Sequence, residues 1–96
     1  MAAASVRFEL GEYEWLSERN GVVFLGHTAL GIVEFLITSE ALVELVDPDL
    51  DGIDSDTAIE TYLEFESDIH RIAQREFVSR LGGEPPVLLT AFDVSA

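Results

Sequence analysis

The sequence predicts a small α+β domain, in which a small antiparallel sheet of three to four strands packs against one long C-terminal helix and one short helix. Three observations lead to this prediction. Apolar and polar residues alternate near the N-terminus, two runs of β-forming residues follow a turn, and the second half carries an apolar stripe at helical spacing. The 96 residues leave room for a single domain, 1–96, and 48% of them are apolar, which is enough for one modest core.

The alternation near the N-terminus predicts a half-buried strand. Apolar residues occupy every second position of residues 6–10, and Tyr13 and Trp15 extend the pattern less cleanly beyond Gly11. Successive side chains of a strand point to opposite faces, so one face of this segment is expected to contact the core.

Two further strands are predicted after a tight turn. Residues 17–21 form the turn, because Asn20 followed by Gly21 supplies the positive φ angles that a hairpin needs. Residues 22–26 and 31–37 are rich in β-forming side chains. The short turn between these two runs predicts that they pair antiparallel.

A short helix is predicted over residues 40–46, with Thr38 or Ser39 as its N-terminal cap. Asp47 precedes a proline and therefore avoids the helical region of backbone conformation, so the helix ends there. The acidic residues 47–56 that follow are expected to form a loop.

A long helix is predicted over residues 57–81. Thr57 and Glu60 have the spacing of a capping box at its start, and Gly82 followed by Gly83 is typical of a helix end. One stripe of this helix is expected to face the sheet; it contains Ala58, Ile59, Tyr62, Phe65, Ile69, Ile72, Ala73 and Phe77. A last short strand is predicted at residues 87–89, at the sheet edge.

Several residues occur in an order that is typical of one bacterial family. These residues are Phe8, Trp15, the segment Gly21-Val22-Val23-Phe24, the segment Ile37-Thr38-Ser39-Glu40-Ala41-Leu42, Phe65, Ile72 and the segment Val87-Leu88-Leu89. On these positions the chain resembles the bacterial domain-of-unknown-function family 1488 (DUF1488) over residues 8–93. The resemblance implies a shared fold and no particular activity. Relatives often carry a histidine where this chain has Asp68, and its own helix histidine is His70.

The balance of charged residues limits the classes of partner that the protein can bind. Nineteen acidic residues face five arginines with no lysine, giving a formal net charge of −14. Nucleic acids and anionic membranes should be repelled, because binding to phosphates needs clustered cations. The preferred interpretation is that the charge keeps a small domain in solution, and the alternative is that it serves a basic protein partner or a metal ion. The oligomeric state cannot be predicted.

The sequence also limits the cellular compartment and the kinds of chemistry that are expected. The chain has no cysteine, which excludes disulfides, thiolate catalysis and cysteine-ligated zinc. No apolar run approaches the roughly 20 residues that span a bilayer, so the cytoplasm is the expected compartment. No cofactor-binding fingerprint is present, and no cofactor is predicted.

The acidic loop resembles a calcium-binding loop in part. Its ligand positions are held by Asp47, Asp49, Asp51 and Ser55, with Gly52 at the sharp turn. The twelfth position, which should provide a bidentate glutamate, is Ala58. No metal site is therefore predicted, and calcium binding through residues 47–56 is the main alternative function.

A second motif overlaps the same loop. Asp54 followed by Ser55 resembles the phosphopantetheine attachment site of acyl carrier proteins, where a serine at a helix N-terminus carries the prosthetic arm. Asp56 stands where an apolar residue is expected, and the preceding strands do not belong in an all-helical carrier. An acyl-carrier-like role for Ser55 is the third hypothesis, and a capping role in the long helix is preferred.

No catalytic residue is predicted. His27 lies in a turn and His70 on the flank of the long helix, without a third partner for a catalytic triad. Glu34 is expected on the exposed face of its strand, and Arg71 and Arg75 on a solvated helix face. The sequence therefore predicts a non-catalytic binding or regulatory module and no enzyme.

Overall fold

The computed structural model of the protein describes residues 6–29, 31–79 and 86–95. Its elements, in chain order, are strands β1 (Arg7–Leu16), β2 (Gly21–Thr28) and β3 (Gly31–Thr38), helices α1 (Ser39–Val46), α2 (Ser55–Glu64) and α3 (Glu66–Ser79), strand β4 (Val87–Leu89) and helix α4 (Ala91–Ser95). The predicted α+β class is confirmed. No helix among the described residues has the length and apolar character that crossing a bilayer requires.

The sheet is mixed, with strand order β1-β2-β3-β4. β1 pairs antiparallel with β2, and β2 pairs antiparallel with β3, as predicted. β4 lies at the predicted edge but pairs parallel with β3, so the prediction of a wholly antiparallel sheet is wrong. The helices between β3 and β4 return the chain to the end of the sheet at which β3 begins, and a strand that starts there must run parallel.

The first hairpin contains the predicted turn, and β1 is longer than the alternation predicted. Asn20 has a φ of 50°, and the N–H of Arg19 donates to the carbonyl of Leu16 at 3.2 Å. Phe8 pairs with Gly26 of β2 whereas Tyr13 pairs with Phe24, so β1 is irregular between these two pairs. This irregularity shifts the alternation, which lets Phe8 and Tyr13 both pack against the core although one position is even and the other odd.

The single long helix predicted over residues 57–81 is wrong, because the structure has two helices there. They meet at Phe65, whose φ of −105° and ψ of 21° leave the helical region. α2 packs against β1, β2 and α1, and α3 packs against β4 and, through His70, against Phe8 of β1. The predicted end at Gly82 and Gly83 lies outside the described residues.

The core lies between the sheet and the helices. Its buried members are Val22, Phe24, Phe35, Ile37, Ala41, Leu42, Ala58, Tyr62, Ile69, Ile72, Ala73 and Leu89. The predicted apolar stripe is confirmed, since each of its residues is either buried here or packed against this cluster. Gly26 leaves room for the aromatic rings, because a Cβ at this position would lie 2.7 Å from a ring carbon of Phe35.

Side-chain hydrogen bonds cap the N-termini of two helices, α1 and α4. Thr38 caps α1, where its Oγ1 accepts a hydrogen bond from the N–H of Ala41 at 3.1 Å. Helix α4 was not predicted, although Thr90 and Asp93 have a capping-box spacing: the N–H of Thr90 donates to Asp93 Oδ2 at 2.9 Å. Asn20 ties the first hairpin to α1, because its Nδ2 donates to the buried Ser39 Oγ at 2.7 Å.

Candidate functional site

The sheet has two faces, and the buried core lies between one of them and the helices. All four helices contribute residues to the core or pack against it, on the face that carries Val22, Phe24 and Ile37. Because side chains alternate along a strand, the intervening residues Val23 and Leu25 point to the opposite face. We call this opposite face the outer face.

Strand register places the outer-face residues in rows across the sheet. One row contains Glu14, Val23, Leu36 and Leu88. The next row pairs Leu25 with Glu34, and a third contains Arg7, His27 and Ile32. Leu36 is only 2% exposed, whereas Leu88 and Ile32 are 38% and 64% exposed. Aliphatic side chains therefore occupy the centre of the outer face, and charged side chains adjoin them.

An open depression of about 330 Å³ lies on this face. It is lined by Gly11, Glu12, Tyr13, Glu14, Val23, Leu25 and Glu34, which come from the first three strands. The irregular part of β1 forms one wall, because it contains Gly11 and Glu12. The lining combines aliphatic groups with three carboxylates, a set that suits contact with an apolar and cationic surface.

The carboxylates of the depression differ in their partners. Glu12 Oε1 lies 2.7 Å from the imidazole Nε2 of His27. Glu14 and Glu34 form no hydrogen bond or ion pair within the part of the chain that the structure describes. Each of these two carboxylates neighbours an aliphatic side chain across the strands, Val23 and Leu25 respectively. Two uncompensated negative charges therefore flank the apolar centre.

A second group of polar residues lies at the core beside the bend between α2 and α3. His70 Nε2 is 3.0 Å from the hydroxyl of Tyr62 and 3.9 Å from Glu66 Oε2. The imidazole stacks on the ring of Phe8, with centroids 4.2 Å apart and planes at 12°. Burial lowers the pKa of His70, while burial and the nearby charge of Glu66 raise the pKa of Tyr62. Both shifts favour the neutral forms of these side chains, and their contacts link β1, α2 and α3.

Three residues of the calcium alternative, Asp47, Asp49 and Asp51, lie in the loop before α2, and the fourth, Ser55, is the first residue of α2. Asp47 Oδ1 accepts a hydrogen bond from the N–H of Asp49 at 3.1 Å, and Asp51 lines a separate cavity of about 270 Å³ beside α1. Ala58, at the twelfth position, is fully buried in the core. Among residues 6–29, 31–79 and 86–95, no three His, Asp or Glu side chains are grouped so that they could hold a metal ion.

Ser55 is exposed at the first position of α2. The cap of this helix is Asp54, whose Oδ1 accepts a hydrogen bond from the N–H of Thr57 at 2.7 Å. That hydrogen bond lowers the pKa of Asp54. The helix therefore begins two residues before the predicted start, so the capping box predicted for Thr57 and Glu60 is wrong, and Asp54 rather than Ser55 is the cap.

The prediction that His27 lies in a turn is wrong, because β2 continues through it to Thr28 and His27 pairs with Arg7 and Ile32 in the sheet. Glu34, Arg71 and Arg75 lie where alternation and helical spacing predict them. Glu34 is exposed on the outer face, as predicted. Arg71 is exposed and pairs with Asp68 at 2.8 Å, and the exposed Arg75 lies 3.2 Å from Glu76. Glu12, Glu14 and Leu25 were not predicted as site residues; alternation along β2 places Leu25 on the outer face, but Glu12 and Glu14 reach it through the register shift in β1.

Comparison with known proteins identifies one solved structure with a similar fold. No protein-family model and no curated protein matches the sequence. The structure is similar to the crystal structure of a protein of unknown function from the DUF1488 family of Shewanella loihica PV-4, with a TM-score of 0.70, 15% identity and 91% of each chain covered. The chain therefore has the fold of this DUF1488 protein, which confirms the resemblance found in the sequence.

Proposed function

We propose that the protein is a non-catalytic binding module, which holds a protein partner against the outer face of its sheet. The observation that carries this proposal is the open depression, in which Val23 and Leu25 lie between the unpaired carboxylates of Glu14 and Glu34. An apolar surface with a charged rim is typical of protein interaction sites.

The shape and chemistry of the depression favour a protein over a small molecule. Small-molecule sites enclose most of their ligand, whereas this depression is open and lies on a sheet surface. Covering aliphatic side chains contributes about 25 cal/mol for each Å² of apolar surface removed from water. Such a module would regulate its partner by occupying the partner's contact surface. We place it in the cytoplasm, the compartment expected for a sequence in which no apolar run is long enough to span a bilayer.

Site-specific photo-crosslinking in the cells that make the protein tests the proposal. A photoreactive amino acid at Leu25 should crosslink to a discrete protein partner, because this side chain lies at the centre of the outer face. The matched control is the same amino acid at Leu63, which is 45% exposed on α2, on the helical side. Both variants should melt cooperatively near the wild-type temperature.

Equal crosslinking from the two positions would show that the outer face is not special. Cooperatively folded Leu25 variants that crosslink to nothing would contradict the proposal. Crosslinks only to a second copy of the chain would also contradict it.

A further inference from the structure

The positions of Glu14 and Glu34 indicate what chemistry the partner presents, and this inference rests on the proposed function. The two residues come from β1 and β3, on either side of β2. Glu14 pairs with Val23 and Glu34 pairs with Leu25, so the carboxylates lie diagonally across an aliphatic pair. Neither carboxylate has an ionic partner among the described side chains.

We propose that the partner docks a basic amphipathic segment on the outer face. Its aliphatic side chains cover Val23 and Leu25, and its lysine or arginine side chains pair with Glu14 and Glu34. The segment binds the outer face noncovalently, through burial of apolar surface and through ion pairs at the rim.

Sheet dimensions allow one segment to reach both carboxylates. Neighbouring strands lie about 4.8 Å apart, so the backbones of β1 and β3 are separated by about 10 Å. Lysine and arginine side chains are long enough to span part of this distance while their aliphatic stems cover apolar surface. A single helical or extended segment therefore fits across β2 with cations at both sides.

Charge complementarity selects this occupant over the others. A second copy of the chain would bring another formal charge of −14 and would set the same carboxylates against each other. Nucleic acid and anionic lipid are repelled for the same reason. Arg7, the cation that shares this face, lies in the row of His27 and Ile32, beyond the row of Glu34. Arg7 forms no ion pair with Glu14 or Glu34.

Binding of synthetic peptides to the ¹⁵N-labelled protein tests the inference by NMR. The first peptide alternates leucine and lysine, the second replaces every lysine by glutamate, and the third replaces every leucine by serine. The leucine–lysine peptide should bind most tightly and shift the amide signals of Val23, Leu25 and Glu34. Its affinity should fall as salt rises, because exposed charge pairs are screened.

Two double variants with equal net charge distinguish the local effect of the two carboxylates from the effect of the protein's overall negative charge. Glu14→Gln with Glu34→Gln should weaken binding of the leucine–lysine peptide by about 3- to 10-fold. Glu60→Gln with Glu64→Gln removes the same two charges from exposed positions on α2 and should change the affinity by less than about 2-fold. Equal losses in the two variants would overturn the inference, as would equal binding of the glutamate peptide.

The two proposals fail in different ways. If Leu25 crosslinks to a cellular partner while the leucine–lysine peptide does not bind the outer face, the binding function stands and the basic segment is wrong. If the free protein self-associates with concentration and the amide signals of the outer face shift, a second copy is the occupant and both proposals are wrong.

Discussion

The hydroxyl of Tyr62 and the imidazole Nε2 of His70 lie 3.0 Å apart, so one hydrogen bond joins α2 to α3 across the bend at Phe65. The same imidazole stacks on Phe8 of β1. His70 therefore connects three elements of the core through an uncharged ring. Its protonation would place a charge among aromatic side chains.

The first prediction is that His70 makes the stability of the protein depend on pH. Burial lowers the pKa of His70 below its ordinary value of 6.5, so the unfolded chain takes up this proton more readily than the folded chain. The stabilisation is present above the unfolded pKa and is lost as the pH falls towards the folded pKa. Urea unfolding from about pH 7.5 to about pH 5 should show the wild type losing stability relative to His70→Gln. A difference that does not change with pH would contradict this prediction.

The second prediction compares two aromatic residues of the core. Phe24 is 1% exposed and stacks on Phe35, with centroids 5.4 Å apart, whereas Phe65 is only partly buried at the bend. Phe24→Ala should lower the free energy of unfolding by about 3–5 kcal/mol, and Phe65→Ala should lower it by less. Denaturant titrations measure both values, and a larger loss at Phe65 would show that the bend depends on its ring.

The third prediction concerns close backbone contact at the first hairpin. A Cβ added at Gly21 would lie 2.5 Å from the carbonyl oxygen of Ile37, which belongs to the neighbouring strand backbone. Gly21→Ala should cost about 1–3 kcal/mol, because the strands must separate to admit it. Gly52→Ala is the control, since no atom of the described residues, apart from those of its two chain neighbours, lies within 4 Å of its added Cβ. It should change stability by less than about 0.5 kcal/mol.

The fourth prediction is that calcium does not stabilise the fold. The residue at the bidentate position of the loop, Ala58, is buried in the core and offers no oxygen ligand from its side chain. Thermal melts with calcium and with a chelator should therefore coincide, since a ligand that binds only the native state raises the melting temperature. A calcium-dependent rise that Asp49→Ala removes would establish the calcium-binding alternative.

The fifth prediction is that the protein does not bind DNA or RNA. Arg71 and Arg75 lie on α3 beside Asp68 and Glu76, so these cations are paired locally while the whole chain carries a formal charge of −14. A gel-shift titration with random duplex and single-stranded oligonucleotides at about 0.15 M salt should show no saturable binding. Micromolar binding that weakens in Arg71→Gln would reverse the electrostatic argument.

Local patterns predicted the elements better than their arrangement. Alternation and turn chemistry located β2 and β3, because both depend on neighbouring residues. The helix break at Phe65 was not predicted because the apolar stripe continues through it and no glycine or proline marks the position. The parallel direction of β4 depends on the path of the whole chain between β3 and β4, which local periodicity does not contain.

The candidate site escaped the sequence for a related reason. Glu34 was predictable as an exposed residue from alternation alone, but its neighbours on the outer face come from two other strands. Glu12 and Glu14 reach that face only through the irregular part of β1, which shifts the alternation between Phe8 and Tyr13. The depression exists because three strands pair in one particular register. This register depends on contacts between distant parts of the chain, which local sequence patterns do not contain.

The parallel pairing of β4 has a consequence for how the chain folds during synthesis. β1, β2 and β3 form two consecutive hairpins. Their contacts form early, because pairing neighbouring strands requires the closure of short loops only. β4 must wait until α1, α2 and α3 have been made, and until then Phe35, Leu36 and Ile37 lie on an open sheet edge. Unpaired strand edges with apolar side chains recruit other chains. We therefore expect the nascent chain to be most prone to aggregation, and most dependent on chaperones, between completion of β3 and emergence of β4.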